Sequence, residues 1–79
     1  MNETLELTKF GKHVETYFSN YHLTYLRDDN EHIYSIEIRS YNDIFDTAFL
    51  RLLFDKIKIN LIFFTDDSEC RPIVQIIEY

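Results

Sequence analysis

Glycine, proline and cysteine occur once each in these 79 residues, and tryptophan not at all. A single glycine cannot build the glycine-rich loops that cradle phosphates, and neither a P-loop nor a dinucleotide fingerprint is present. A single cysteine, Cys70, excludes the internal disulfide framework that small secreted domains use, and points to a reducing, cytoplasmic setting. The opening MNETLELTKF has no basic segment followed by an apolar stretch, so no signal peptide is expected. No run approaches the ~20 apolar residues of a membrane span. Positive charge is also scarce: eight Lys and Arg stand against fourteen Asp and Glu, a formal charge of -6. The basic residues are scattered along the chain, so phosphate backbones and anionic membranes are repelled. Direct nucleic-acid and membrane binding are therefore not expected, whereas a protein partner with a basic surface is.

What the chain does have is apolar residues, 46% of the total, with 16% aromatic. That is enough to offset the ordering entropy of folding. A chain this short supports one core, so residues 1–79 are read as a single domain.

From Asn2 to about Asn20, Leu7, Phe10, Val14 and Phe18 recur every three or four residues, which marks one face of a helix. Asn2 is a candidate cap, with Glu3 and Glu6 in the first turn. From Tyr21 the period drops to two. Tyr21, Leu23 and Tyr25, then Tyr34, Ile36 and Ile38 after DDNE, describe a hairpin. The second half runs through the same elements. Ser40 or Asn42 caps a second helix whose apolar stripe is Phe45, Ala48, Phe49, Leu52 and Leu53, and INLIFF and PIVQIIEY follow as strands around DDSE. An offset of 38 lays Leu7 on Phe45, Val14 on Leu52 and Asp28-Asp29 on Asp66-Asp67, and the offset grows to 40 beyond the second turn. The expected fold is α+β: a tandem αββ-αββ repeat forming a four-stranded, mainly antiparallel sheet with two helices on one face. Strand order 1-2-4-3 is expected, topologically a circular permutation of the ferredoxin-like arrangement. Phe10, Val14, Leu23, Ile36, Leu52, Leu61 and Val74 are the expected core.

Two acidic turns, Asp28, Asp29 and Glu31 in one and Asp66, Asp67 and Glu69 in the other, are candidate sites. Both symmetric strand orders, 1-2-4-3 and its rival 2-1-3-4, send them to opposite ends of the sheet, which disfavours a shared carboxylate or two-metal site. Asp, Asn and Ser suit turns for local hydrogen bonding, so the turns are read as solvated bends. A two-residue turn between Asp28 and Glu31 would pair Arg27 with His32, Tyr25 with Tyr34, Leu23 with Ile36 and Tyr21 with Ile38. The other face would then carry His22 with Glu37, Thr24 with Ser35 and Leu26 with Ile33. His13, His22 and His32 lack metal-ligand spacing, and Cys70 sits among acidic neighbours rather than in the electropositive setting an activated thiol needs. No catalytic, cofactor or metal site is expected. Gly11, inside the first helix, is read either as a tolerated surface residue or as room for Phe49 or the neighbouring helix.

The second hairpin differs from the first. Pairing Phe63 with Val74 and Leu61 with Ile76 on the core face leaves Ile62, Phe64, Ile73, Ile77 and Tyr79 on the other. Two helices cover only one side of the sheet, so these five form an expected partner interface, most simply a homodimer. The expected function is a small acidic intracellular interaction protein, not an enzyme. It would inhibit or regulate by occupying a partner surface, and an inhibitor or regulator encoded by a phage or other mobile element fits the size, the charge and the missing catalytic apparatus. A nucleic-acid mimic against a basic cleft is the alternative, and a small enzyme or metal-binding domain the second alternative.

Overall fold

The computed structural model describes residues 7–57 and 61–78. Its elements run α1 (Leu7–Tyr17), β1 (Tyr21–Arg27), β2 (Ile33–Ser40), α2 (Thr47–Lys56), β3 (Leu61–Asp66) and β4 (Pro72–Ile77). The strands form one antiparallel sheet in the order β1-β2-β4-β3, as expected. The connection from β2 through α2 to β3 therefore skips a place, which β4 fills. The fold is α+β.

The three-to-four spacing of α1 buries Leu7, Phe10 and Val14, and α2 buries Phe49 and Leu53. Both helices lie on the sheet face that carries Ile36, Ile38, Val74 and Ile76, and these residues form one core. Phe49 is its hub. Its ring lies 4.4 Å from that of Tyr21, 5.7 Å from Phe45, 5.8 Å from Phe18 and 6.5 Å from Phe10, centroid to centroid. Of the expected core, Phe10, Val14, Ile36 and Val74 are buried, and Leu23 and Leu52 are half-buried against them. Leu61 is exposed.

Helix boundaries differ from expectation for local reasons. α1 ends at Tyr17 rather than near Asn20, and the expected cap Asn2 lies outside the described residues. α2 starts at Thr47, not behind Ser40 or Asn42. Those two side chains are used in a bend: the Ser40 hydroxyl donates to Asn42 Oδ1, which also accepts the Ile44 N–H at 3.2 Å, and Asp43 takes φ +62°. A left-handed residue breaks helical continuity, so the helix forms only beyond it. The Tyr21 hydroxyl accepts the Asp46 N–H at 2.8 Å and ties this loop to the core. The atoms nearest to a Cβ at Gly11 belong to Tyr25 of β1, its hydroxyl oxygen first, rather than to Phe49 or α2.

Both hairpin registers differ as well. Tyr21 pairs with Ser40, Leu23 with Ile38 and Tyr25 with Ile36, a shift of two that keeps each of these side chains on its expected face. His22 faces Arg39 instead of Glu37, Thr24 faces Glu37 and Leu26 faces Ser35. A bulge at Leu26/Arg27 pairs Arg27 with Ile33, so Ile33 is half-buried while Tyr34, expected inward, is exposed. In the second hairpin Phe64 pairs with Val74 and Ile62 with Ile76. That is a slip of one, which exchanges the two faces of β3.

Candidate interaction surface

The turns decide the registers. In the first, the Asp28 carboxylate Oδ1 accepts the N–H groups of Asn30 and His32, both at 2.9 Å. The Asp28 N–H donates to the His32 carbonyl, the Glu31 N–H donates to the Asp28 carbonyl, and Glu31 stands at φ +66°. The second repeats this bond for bond. Asp67 Oδ1 accepts from Glu69 and Arg71, at 2.8 and 2.9 Å, and Cys70 stands at φ +63°. Each is a three-residue loop whose last residue is left-handed, a standard hairpin closure. Asp28 thus corresponds to Asp67, not to Asp66: the working residue is the first Asp of one pair and the second of the other. The two turns lie at opposite ends of the sheet, as the strand directions require.

The turns are not electrostatically equal. Asp67 Oδ2 also accepts Arg71 Nε at 2.9 Å and meets an Arg39 guanidinium nitrogen at 3.1 Å, and its carboxylate is largely covered. The N–H of His32 holds the Asp28 carboxyl below the usual range, and the N–H of Arg71 does the same for Asp67. A lowered folded-state pKa means stability present above the unfolded carboxylate value of about 3.9 and lost as pH falls through the folded value. Asp28→Asn keeps an oxygen for both N–H groups and should leave the melting temperature nearly unchanged. Asp67→Asn puts an amide donor against two guanidinium donors and should lower it by roughly 5 °C at pH 7. This gap should narrow as pH falls below the unfolded value of about 3.9 and close only below the lowered folded value, where the wild-type carboxylate is protonated too. Equal melting temperatures for the two variants at pH 7 would show that the Arg39 and Arg71 contacts contribute nothing.

Asp29, Glu31, Asp66 and Glu69 are exposed, and they do not converge on one point. Among the described residues no three His, Cys, Asp or Glu side chains are placed to hold a metal ion. No helix among them is long and apolar enough to cross a membrane. A hollow of about 450 Å³ is lined by His22, Arg39, Ser40, Tyr41, Asp43 and Arg71, but Asp67 already engages both arginines.

The apolar surface is real but is built differently from the expected one. Ile62 and Phe64 turn toward the helices: Ile62 is half-buried against the core, and the Phe64 ring lies 6.1 Å from that of Phe54 on α2. Ile73 and Ile77 are on the open face, Ile73 buried and Ile77 half-buried, opposite Thr65 and Leu61. Tyr79 lies outside the described residues. Leu61 and Phe63, expected in the core, take the open-face positions on β3. The outcome is an edge strand apolar on both faces, with Leu61 39%, Phe63 45% and Phe64 57% exposed, beside Phe54 at 55%. Phe54 was not singled out by the sequence. Its one signal is that it falls outside the Phe45–Phe49–Leu52 stripe of α2.

Topologically this is an α+β sheet layered with two helices, an architecture that carries many functions and specifies none. No family model matches the chain, and no curated protein or solved structure is significantly similar to it.

Proposed function

We propose that this is a small acidic cytoplasmic interaction protein, an inhibitor or regulator that works by occupying a protein partner's surface and that also associates with itself. The supporting observation is the exposed apolar group Phe54, Leu61, Phe63 and Phe64, gathered along one sheet edge in a chain of formal charge -6. Solvent-exposed aromatics concentrated in this way favour association, since each half-exposed phenylalanine has about 100 Å² left to bury. The nucleic-acid-mimic alternative draws less support. Asp28 and Asp67 turn their carboxylate oxygens toward their own loops, and the two acidic groups occupy opposite ends of the sheet.

Sedimentation of wild type and Phe64→Glu over a wide concentration range tests the reading. Wild type should associate, and the variant should sediment as a monomer with an unchanged circular dichroism spectrum, because its side chain is already mostly in solvent. A wild type that stays monomeric and binds no protein partner through this edge would sink the proposal.

A further inference from the structure

We infer that β3 pairs with the β3 of a second copy, antiparallel and edge to edge, with Phe63 on the two-fold axis, so that two four-stranded sheets become one. The inference rests on the reading of this surface as an interaction site and names its occupant.

The two sheet edges are unlike. β1, at one edge, carries His22 and Arg27 and a bulge at Leu26/Arg27 that breaks its ladder. Charge and bulges are devices that keep an edge from pairing with another chain. β3, at the other edge, pairs with β4 in unbroken register from Leu61 to Asp66 and carries no charged or proline residue before Asp66. Its outer backbone N–H and C=O groups face away from β4 and offer a ready template for another strand.

Charge restricts how two copies can meet and so sets the register. Each copy carries -6, so two copies repel except where uncharged surfaces meet, and β3 from Leu61 to Thr65 is such a strip. Centring the pairing on Phe63 sets Leu61 against Thr65 of the other copy and Ile62 against Phe64. All five neutral residues are used, and Asp66 stays outside the ladder. Opposite residues in an antiparallel pair share a face. Phe54 and Phe64 of both copies therefore meet on the helix side, and Phe63 and Leu61 on the open side. A two-fold axis also makes the patch its own complement, as isologous dimers require. Phe54, Phe63 and Phe64 contribute roughly 300 Å² per copy. The strand backbone, Leu61 and Ile62 add to this, against about 800 Å² per partner in a standard interface. The dimer should thus be concentration-dependent. It should also tighten with added salt, which screens the like charges.

The test uses single cysteines in a Cys70→Ser chain, with sedimentation run in parallel. Phe63→Cys should form an intermolecular disulfide under mild oxidation, about tenfold more than Ile62→Cys or Phe64→Cys, whose symmetry mates lie beyond bridging distance. Since Phe63→Cys removes an aromatic ring from the seam, the Leu61→Cys/Thr65→Cys chain serves as a second reporter and should link twice per dimer. A dimer that cross-links at neither reporter, or best at residue 62 or 64, overturns edge pairing while leaving the apolar surface as the interaction site. A monomer that still binds another protein and loses it on Phe64→Glu overturns the second copy alone. A monomer with no such binding overturns both.

Discussion

Phe49→Ala is expected to remove about 3–5 kcal/mol of folding stability, a large share of what so small a domain holds. The side chain is fully buried, and four other aromatic rings lean on it from α1, the segment after it, β1 and the loop before α2. Removing a buried phenylalanine costs about 3–5 kcal/mol, through lost transfer energy and the cavity left behind. At roughly 0.05–0.15 kcal/mol per residue, a domain of this size holds about 4–12 kcal/mol in total. Denaturant titration should place the variant's midpoint far below that of wild type. Phe54→Ala, on the solvent side of the same helix, should move the midpoint little. A Phe49→Ala protein that melts like wild type would mean that the aromatic cluster is not the core.

Gly11→Ala is expected to destabilise the protein although it replaces the poorest helix former but proline with the best. Alanine in a helix interior gains about 1 kcal/mol over glycine. Here its Cβ would overlap the Tyr25 hydroxyl oxygen and stand 2.8 Å from Cε1 of the same ring. To make room the ring must swing away, giving up its half-buried position and the bond its hydroxyl donates to Glu15 Oε2 at 3.2 Å. Overpacking of this kind costs about 1–3 kcal/mol, enough to reverse the propensity gain. In a Tyr25→Leu background the same substitution should turn neutral or stabilising, and thermal melts of the four proteins in the cycle would show the change of sign. A Gly11→Ala protein more stable than wild type would mean the ring leaves without loss. The packing also has a pH signature. Burial, with Glu15 adding to it, pushes the Tyr25 phenol up to about 12. A raised folded-state pKa gives stability that is full below the unfolded value near 10 and is lost as pH rises toward 12.

Much of the fold was legible because periodicity is local. The three-to-four spacing in α1 and the alternation in β1 and β2 depend only on which residues share a face, and neither needs a partner to be known. Inside α1, Gly11 was legible as a glycine but not as the neighbour of Tyr25, fourteen positions on in the chain. The candidate interface was half legible. That the second hairpin has too many apolar residues for one sheet face was plain from INLIFF and PIVQIIEY. Which of them face outward hung on a single residue of register, and the register hung on which Asp of each pair accepts the loop's N–H groups.

By itself, then, the sequence determined the class of fold, its order of elements and the presence of surplus apolar surface, because composition and period constrain each of these locally. Only the tertiary structure decided the strand order, that Asp28 corresponds to Asp67, that Ile62 and Phe64 turn toward the helices on the side of Phe54, and that Leu61 and Phe63 take the open face of the same edge strand. The physical reason is that a β-strand has a period of two, so one left-handed loop residue, Glu31 or Cys70, is enough to reassign every side chain beyond it, and nothing in a loop's own letters says which residue will take that conformation.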